Sequence, residues 1–280
     1  MIKVDMSKFC VFILAHGRPE LENTYNSLKG GGYTGRIVFV LDNEDSKLQG
    51  YIDKYGFENV YIFNKTSYAS HCDSMNNFGK REAILFARNI TFDIAKELGI
   101  EYFVQLDDDY YYFGHRGENG AKKTQNLDKI FEWFVEFLLN TNVKSIAFSQ
   151  GGDHIGGYDG DVLVKRKSMN SFFCLTNRPF KFYGTFNDDV NCYLINGKVG
   201  GIFLTYMSFQ LDQVDTQSTR GGMSETYKDM GTYTKSFTSV IGSPSCVKIK
   251  LMGVNTSRLH HSINWSVSVP MILSEKYKKD

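Results

Sequence analysis

The chain has 280 residues, 42% hydrophobic and 22% charged, with a formal net charge of +1. It is long enough to bury a sizeable core, as one large domain or two tightly joined lobes, and its charge balance excludes a globally basic nucleic-acid surface, leaving only a local one. Five scattered cysteines (Cys10, Cys72, Cys174, Cys192, Cys246) without a Cys-x-x-Cys pair exclude a disulfide framework or structural zinc and point to a reducing compartment. Met1 to Ser7 carries no signal-peptide core, and no run approaches the ~18 apolar residues of a membrane span. These features predict a cytoplasmic protein that does not contact membranes.

Taken in order, the first half alternates. Phe9 to Ala15 is a continuous apolar run that reads as a buried strand. His16-Gly-Arg-Pro19 breaks it and starts a helix with Leu21, Tyr25 and Leu28 on one face, ended by Gly30-Gly-Gly32. Arg36 to Leu41 predicts a second strand, closing in Asp42-Asn-Glu-Asp45, and Val60 to Phe63 a third. A helix from about Arg81 to Leu98 places Ile84, Ala87, Ile94 and Leu98 toward the core and is closed by Gly99. The apolar run Glu101 to Tyr110 then delivers Asp107, Asp108 and Asp109 together. Leu127, Ile130, Phe131, Phe134 and Leu138 mark another amphipathic helix, and Val143 to Phe148 another strand. Strand and helix in alternation predict an open, Rossmann-like, mostly parallel sheet, with ligands at the carboxyl ends of its strands. His16, Arg18, Asp42 and the three aspartates all lie at such ends.

From Ser149 the alternation fails and Gly, Asn, Ser and Thr become frequent. Gln150 to Gly157 is a glycine-heavy turn of the kind that lets backbone approach a ligand. Lys165-Arg-Lys167 is a basic trio that could face a phosphate or form a solvated edge. Phe182 to Val190 brings a second acidic pair, Asp188 and Asp189, and Arg258 to Trp265 places His260 and His261 beside an arginine and a tryptophan. No internal repeat or clear linker is present, so residues 1–280 read as one unit with halves 1–150 and 151–280.

Three consecutive carboxylates repel one another, and desolvating them at a strand end is costly unless a cation neutralises them. Oxygen ligands favour Mg²⁺ or Mn²⁺, commonly held by one or two carboxylates together with substrate phosphates. An acidic loop or a helix-capping cluster is the bland alternative.

Several segments, in order along nearly the whole chain, resemble one family. They are Phe12-Ile-Leu-Ala-His-Gly-Arg-Pro19, Ala87-Arg-Asn89, Leu106-Asp-Asp-Asp-Tyr110, Gln150-Gly-Gly-Asp153, Lys165-Arg-Lys-Ser-Met-Asn170, Asn187-Asp-Asp-Val190 and Arg258-Leu-His-His261. The chain resembles nucleotide-sugar glycosyltransferases of the GT-A fold, and most closely the TET-associated glycosyltransferases, found in phages beside DNA base-oxidising enzymes and as a domain of an estrogen-receptor co-regulator. The resemblance implies an α/β GT-A fold with a nucleotide-sugar-binding half and an acceptor-side α+β half.

It also implies a site. Asp107 and Asp109 match the Asp-x-Asp that holds a divalent metal, Mn²⁺ or Mg²⁺, against the donor diphosphate; Asp109 would be the direct ligand and Asp107 would turn to the ribose or a metal-bound water. Asp108 could point to the other face. His260 or His261 would complete the metal shell, unless one is simply a packed polar residue. Asp189 aligns with the catalytic aspartate that accepts the proton of the attacking hydroxyl, and Asp188 stands where the family has Glu; a helix N-terminus is the structural alternative for this pair. One such base suits displacement with inversion. Ala15, His16 and Arg18 would hold base and ribose, Asp42 the base edge, Arg88 and Asn89 the donor, and Lys165 and Arg166 the diphosphate or the acceptor backbone. Arg18 and Arg88 could equally be salt bridges at the core edge.

The implied donor is a uridine diphosphate (UDP) sugar, its sugar unspecified. By resemblance to the phage members the acceptor is the hydroxyl of a modified cytosine in DNA, such as 5-hydroxymethylcytosine, reached in the major groove or after base flipping. Phage membership would place the protein in the host cytoplasm. Lys122-Lys123, the Lys165 trio and Lys276 to Lys279 could contact phosphates, and Tyr110, Tyr111, Tyr112 or Trp265 could stack on bases. The co-regulator branch points instead to protein hydroxyls. A nucleotidyltransferase would open with a Gly-rich lysine loop, which His16-Gly-Arg-Pro lacks. A non-catalytic binding module would have no use for the full set of metal and base positions.

Overall fold

The computed structural model describes residues 4–76, 84–154, 162–167, 171–213, 233–252 and 258–268. Its centre is a ten-stranded sheet whose order begins β3-β2-β1-β4, with β1 Phe9–Leu14, β2 Arg36–Asp42, β3 Val60–Phe63 and β4 Tyr102–Asp107 all parallel. The order continues through β9 (Phe172–Leu175), β7 (Ser145–Ser149), β10 (Phe203–Gln213), β5 (Tyr110–Gly117) and β6 (Gly120–Lys123), with β8 (Val164–Arg166) also on β10. Of these, β9, β5 and β8 run against the rest, so the sheet is mostly parallel. β9 comes from the second half of the chain yet lies between two strands of the first, β4 and β7. The halves therefore share one sheet.

Side-chain parity explains why the strands read as unbroken apolar runs. Alternate residues of a strand face opposite sides, and both sides are covered. Phe9, Val11 and Ile13 join one core cluster with Leu106, Leu28 of α1 (Asn23–Gly30), Tyr51 of α2 (Leu48–Tyr55) and Phe131 and Phe134 of α5 (Leu127–Leu139). Cys10, Phe12 and Leu14 join the other, with Phe103, Leu85, Phe92 and Ile94 of α4 (Leu85–Glu97), and Cys192 of α6 (Asp188–Lys198). A second, two-stranded sheet pairs β11 (Val247–Met252) with β12 (Arg258–Ile263), and α7 (Tyr233–Gly242) packs near it. No helix among the described residues is long and apolar enough to cross a membrane.

Two boundaries differ from the sequence reading, for local reasons. The first helix starts at Asn23 rather than at Pro19. Residues 15–22 instead form a loop, with Gly17 at φ 69° in the left-handed region that glycine adopts without strain, and it carries His16 and Arg18 across the strand ends. The acidic strand stops at Asp107 because its neighbour β1 stops too, the last paired residues being Leu14 and Asp107. Asp108 and Asp109 make a turn, and Tyr110 opens β5. α2 and the β5–β6 hairpin were not anticipated. Arg81, residues 155–157, Ser168 to Asn170 and Lys276 to Lys279, all singled out above, lie outside the described residues.

Candidate active site

The acidic turn is gripped from below by α1. Thr24 Oγ1 donates to the Asp107 carbonyl (2.6 Å) and accepts from the Tyr110 amide (2.9 Å), the Thr24 amide donates to the Asp108 carbonyl (3.3 Å), and Ser27 Oγ donates to the Tyr110 carbonyl (3.0 Å). These contacts fix the backbone, so each carboxylate has a set direction. Strand parity carries Gln105 and Asp107 toward α4. Gln105 Nε2 donates to the Arg88 carbonyl (3.0 Å), and Arg88 Nη2 donates to both oxygens of Asp107 (3.1 and 3.3 Å). The Tyr110 hydroxyl also reaches Asp107, at 3.4 Å.

Asp108 goes to the opposite side. Arg18 Nη2 donates to its Oδ1 at 2.6 Å, and the carboxyl is buried. Burial pushes its pKa up to about 7 against the pull of Arg18, with Asp109 and Asp107 adding to the rise. Asp109 makes no ion pair among the described residues, and its Oδ1 is buried without a hydrogen-bond partner among them. Burial first and the Asp107 charge second push it up to about 6. An oxygen acceptor left buried and unpaired in this way is suited to a cation.

The second acidic pair arrives on α6. Asp188 and Asp189 form its first turn, where the positive end of the helix dipole favours carboxylates. Asn187 precedes them in left-handed conformation (φ 52°), which Asn tolerates better than most residues. Its amide donates to the Lys235 carbonyl (2.8 Å) and Ser239 Oγ (3.1 Å) of α7 and contacts His261 Nδ1 (3.2 Å) of β12. Asp188 Oδ2 then accepts from Arg88 Nε at 2.6 Å. A single guanidinium, its side chain 3% exposed, thus binds carboxylates from the strand end and from the helix start. Burial alone would lower the Arg88 pKa, but Asp107 and Asp188 more than offset it and raise it. Burial drives the Asp188 carboxyl upward despite that arginine. Asp189 makes no ion pair among the described residues.

His261 is pushed down to about 4 by burial and by neighbouring His260, so it is a neutral imidazole at physiological pH. The two rings stack at 4.3 Å, and His260 Nδ1 faces the His261 carbonyl at 2.7 Å. Among the described residues no three His, Cys, Asp or Glu side chains form a complete metal cage. An Mg²⁺ or Mn²⁺ site needs none, since one or two carboxylates with substrate phosphates and water suffice. The free oxygen of Asp109 and the hard-oxygen character of the turn fit such an open site.

At the first strand ends, Asp42 faces His16 Nδ1 at 2.9 Å and Lys65 Nζ at 3.2 Å, and the amide of Gly17 donates to Asp45 Oδ2 at 2.7 Å. The Ala15 amide is used in the sheet, bonding the Val40 carbonyl. Asn89 is turned inward: its Oδ1 accepts from the Phe182 amide (2.9 Å) and its Nδ2 donates to the Phe182 carbonyl (3.1 Å), tying α4 to the segment that leads into α6. Lys165 Nζ donates to the Asp153 carbonyl (2.7 Å), Lys167 pairs with the Asp153 carboxylate, and Arg166 lies on the same strand, β8. The structure therefore links Asp107, Arg88 and Asp188 directly, with Asp109 and Asp189 near enough to interact electrostatically with Arg88 and His261 tied in through Asn187, whereas Asp42 with His16 and the Lys165 strand are each held by other partners. Thr24 and Lys65 went unnoticed in the sequence, and Asn187 and Asp45 were read as parts of their acidic segments without a role of their own. An Asn directly before two acids is a readable helix-start signal; nothing marks Lys65, whose partner is distant in the chain.

A sequence profile of the family described as TET-Associated Glycosyltransferase matches residues 9–222. Comparison with curated protein sequences gave no match. Among solved structures, the chain is similar to TarS residues 1–349 of S. aureus (14% identity, 72% of this chain and 59% of that one, TM-score 0.41). It is also similar to the mannosyltransferase PcManGT of Pyrobaculum calidifontis in complex with GDP-Man and Mn²⁺ (10% identity, 84% and 73%, TM-score 0.46). A third is glucosyl-3-phosphoglycerate synthase of Mycobacterium tuberculosis with Mn²⁺, UDP and glucosyl-3-phosphoglycerate (10% identity, 94% and 88%, TM-score 0.48). The chain spans 59% of the length of the TarS fragment.

Proposed function

Because the chain belongs to the TET-associated glycosyltransferase family, we propose that it transfers a sugar from a nucleotide-sugar donor, a UDP-sugar, to the hydroxyl of a modified cytosine such as 5-hydroxymethylcytosine in DNA. The observation that carries this reading is the convergence on Arg88 of a strand-end carboxylate, Asp107, and a helix-start carboxylate, Asp188, from segments far apart in sequence. That convergence supports reading Asp109 as the acid for the donor and Asp189 as the acid for the acceptor.

In the proposed mechanism Asp109, with Asp107 beside it, would hold Mn²⁺ or Mg²⁺ together with the donor phosphates and water. The cation would supply charge neutralisation for the departing diphosphate. Asp189 takes the proton of the acceptor hydroxyl as its oxygen forms the bond to the anomeric carbon. The bond from that carbon to the diphosphate oxygen breaks, and its electron pair leaves with the nucleotide. A single base on the acceptor side suits one displacement with inversion.

The test is mass analysis of nucleosides from 5-hydroxymethylcytosine DNA incubated with the protein, Mn²⁺ or Mg²⁺, and a panel of UDP-sugars. A hexose or pentose increment on the cytosine is the expected result. Metal-dependent release of UDP without an increment would move the acceptor away from DNA, with protein hydroxyls next to be tried. Neither increment nor release would overturn the reading.

A further inference from the structure

We propose that Arg88 is a positioning residue that sets the spacing between the donor-side and acceptor-side acids, and that it is not a ligand of the donor phosphates; this rests on the transferase reading above. The carbonyl, Nε and Nη2 of Arg88 are all held by protein. Its carbonyl accepts from Gln105 (3.0 Å), its Nη2 meets Asp107 (3.1 and 3.3 Å), its Nε meets Asp188 (2.6 Å), and the face of its guanidinium lies 5.6 Å from the Phe182 ring centroid. The neighbouring Asn89 bonds both backbone groups of Phe182, so α4 carries two adjacent anchors for the chain entering α6.

A phosphate could take Nε or Nη2 only by displacing a carboxylate, which would be left charged and poorly solvated next to like charges. The pattern of pairing agrees. In each acidic segment one residue is tied to Arg88, and a later one, Asp109 or Asp189, makes no ion pair among the described residues and stays available. Arg88 therefore anchors one member of each acidic segment, Asp107 or Asp188, and through it fixes where Asp109 and Asp189 stand. The planar fork matters, because two carboxylates in different directions are met by Nε and Nη2 together; a lysine ammonium is a point charge without that geometry.

The test compares wild type with Arg88→Lys, Arg88→Met, Asp188→Asn and the double variant Arg88→Met/Asp188→Asn, reading UDP affinity by calorimetry with Mn²⁺, donor KM and kcat, and Tm. Arg88→Lys should keep UDP affinity and donor KM within about threefold and lose about 100-fold in kcat, the cost expected of roughly a 1 Å misplacement of reacting groups. Arg88→Met should lower Tm by stranding its acids, and the double variant should recover much of that loss without recovering kcat. A tenfold or greater loss of UDP affinity in Arg88→Lys would overturn the proposal in favour of a phosphate ligand, as would a kcat within threefold of wild type. If wild type turns over no UDP-sugar, the transferase reading fails separately. UDP affinity and the Tm cycle still decide then: additive Tm changes at Arg88 and Asp188 overturn the cross-link, and non-additive changes with affinity retained support it.

Discussion

The strand-end acids Asp107 to Asp109 and the helix-start acids Asp188 and Asp189 solve the same problem, like charges crowded in a poorly solvated place, by different means. The strand end separates its charges. Strand parity sends Asp107 to Arg88 on one side of the sheet, and the first residue of the turn, Asp108, goes to Arg18 on the other. The turn then leaves Asp109 with no ion pair among the described residues, and burial, with the Asp107 charge, pushes its pKa up to about 6. The helix start keeps both acids together and answers them with the dipole of α6 and the hydrogen bond that Arg88 Nε donates to Asp188. In the proposed mechanism the acid without an ion pair among the described residues, Asp109 or Asp189, is the one that acts, and a paired neighbour holds it in place.

Replacing the unpaired acids tests this most severely. Asp109→Asn should abolish turnover and the metal-dependent part of UDP binding together, since the oxygen suited to the cation is lost; unchanged Mn²⁺-dependent affinity by calorimetry would remove Asp109 from the metal site. Asp189→Asn should cost about 10²–10⁴ in kcat, the usual worth of a general base, with UDP affinity retained. If that variant still transfers at the wild-type rate, the contrast between paired and unpaired acids carries no catalytic meaning. A scaffold residue should behave differently. Arg18→Met leaves the Asp108 carboxyl buried without its partner, which costs about 3 kcal/mol of stability, the low end for a broken buried pair, because Arg18 is 21% exposed at its side chain. Urea denaturation measures it, and adding Asp108→Asn should restore most of the loss.

The strand side of this comparison was legible in the sequence and the helix side only partly so. Runs such as Phe9–Leu14 and Tyr102–Asp107 announce themselves because every residue except the terminal Asp107 is buried on one face or the other. Local pattern also showed that three acids end the fourth strand. It could not show that β4 stops at Asp107, because that depends on where β1 ends. Nor could it assign Arg88, Asn187 or His261 their partners, since each bond joins segments that only tertiary packing brings together. The insertion of β9 between β4 and β7 was hidden for the same reason. Asp42 was expected to read a base edge by resemblance, and its ties to His16 and Lys65 would have required knowing that the loop after β1 and the helix after β3 (α3, Lys65–Ala69) meet it.

Asp42 supplies the mild limit of the contrast and its smallest measurable effect. Burial should raise its pKa, as it does for Asp109, yet the bonds from His16 and Lys65 win and hold it below the usual carboxylate value. The same contact raises His16 above its ordinary 6.5, chiefly through the hydrogen bond to Asp42, with burial and Lys65 opposing. A folded-state pKa raised above the unfolded value means that the folded protein binds the proton more tightly. The contribution to stability is thus complete below about pH 6.5 and is lost as pH rises through the folded pKa above it. His16 is 49% exposed at its side chain, so salt screens the pair and the change in Tm should be slight. NMR titration of the His16 ring is the sharper measurement. Asp42→Asn should return the His16 pKa toward 6.5, and Lys65→Met should move it further up by removing an opposing charge. A His16 pKa unmoved by Asp42→Asn would show that cation pairing does not set the electrostatics at this strand end, and would weaken the same argument where it is applied to Asp109.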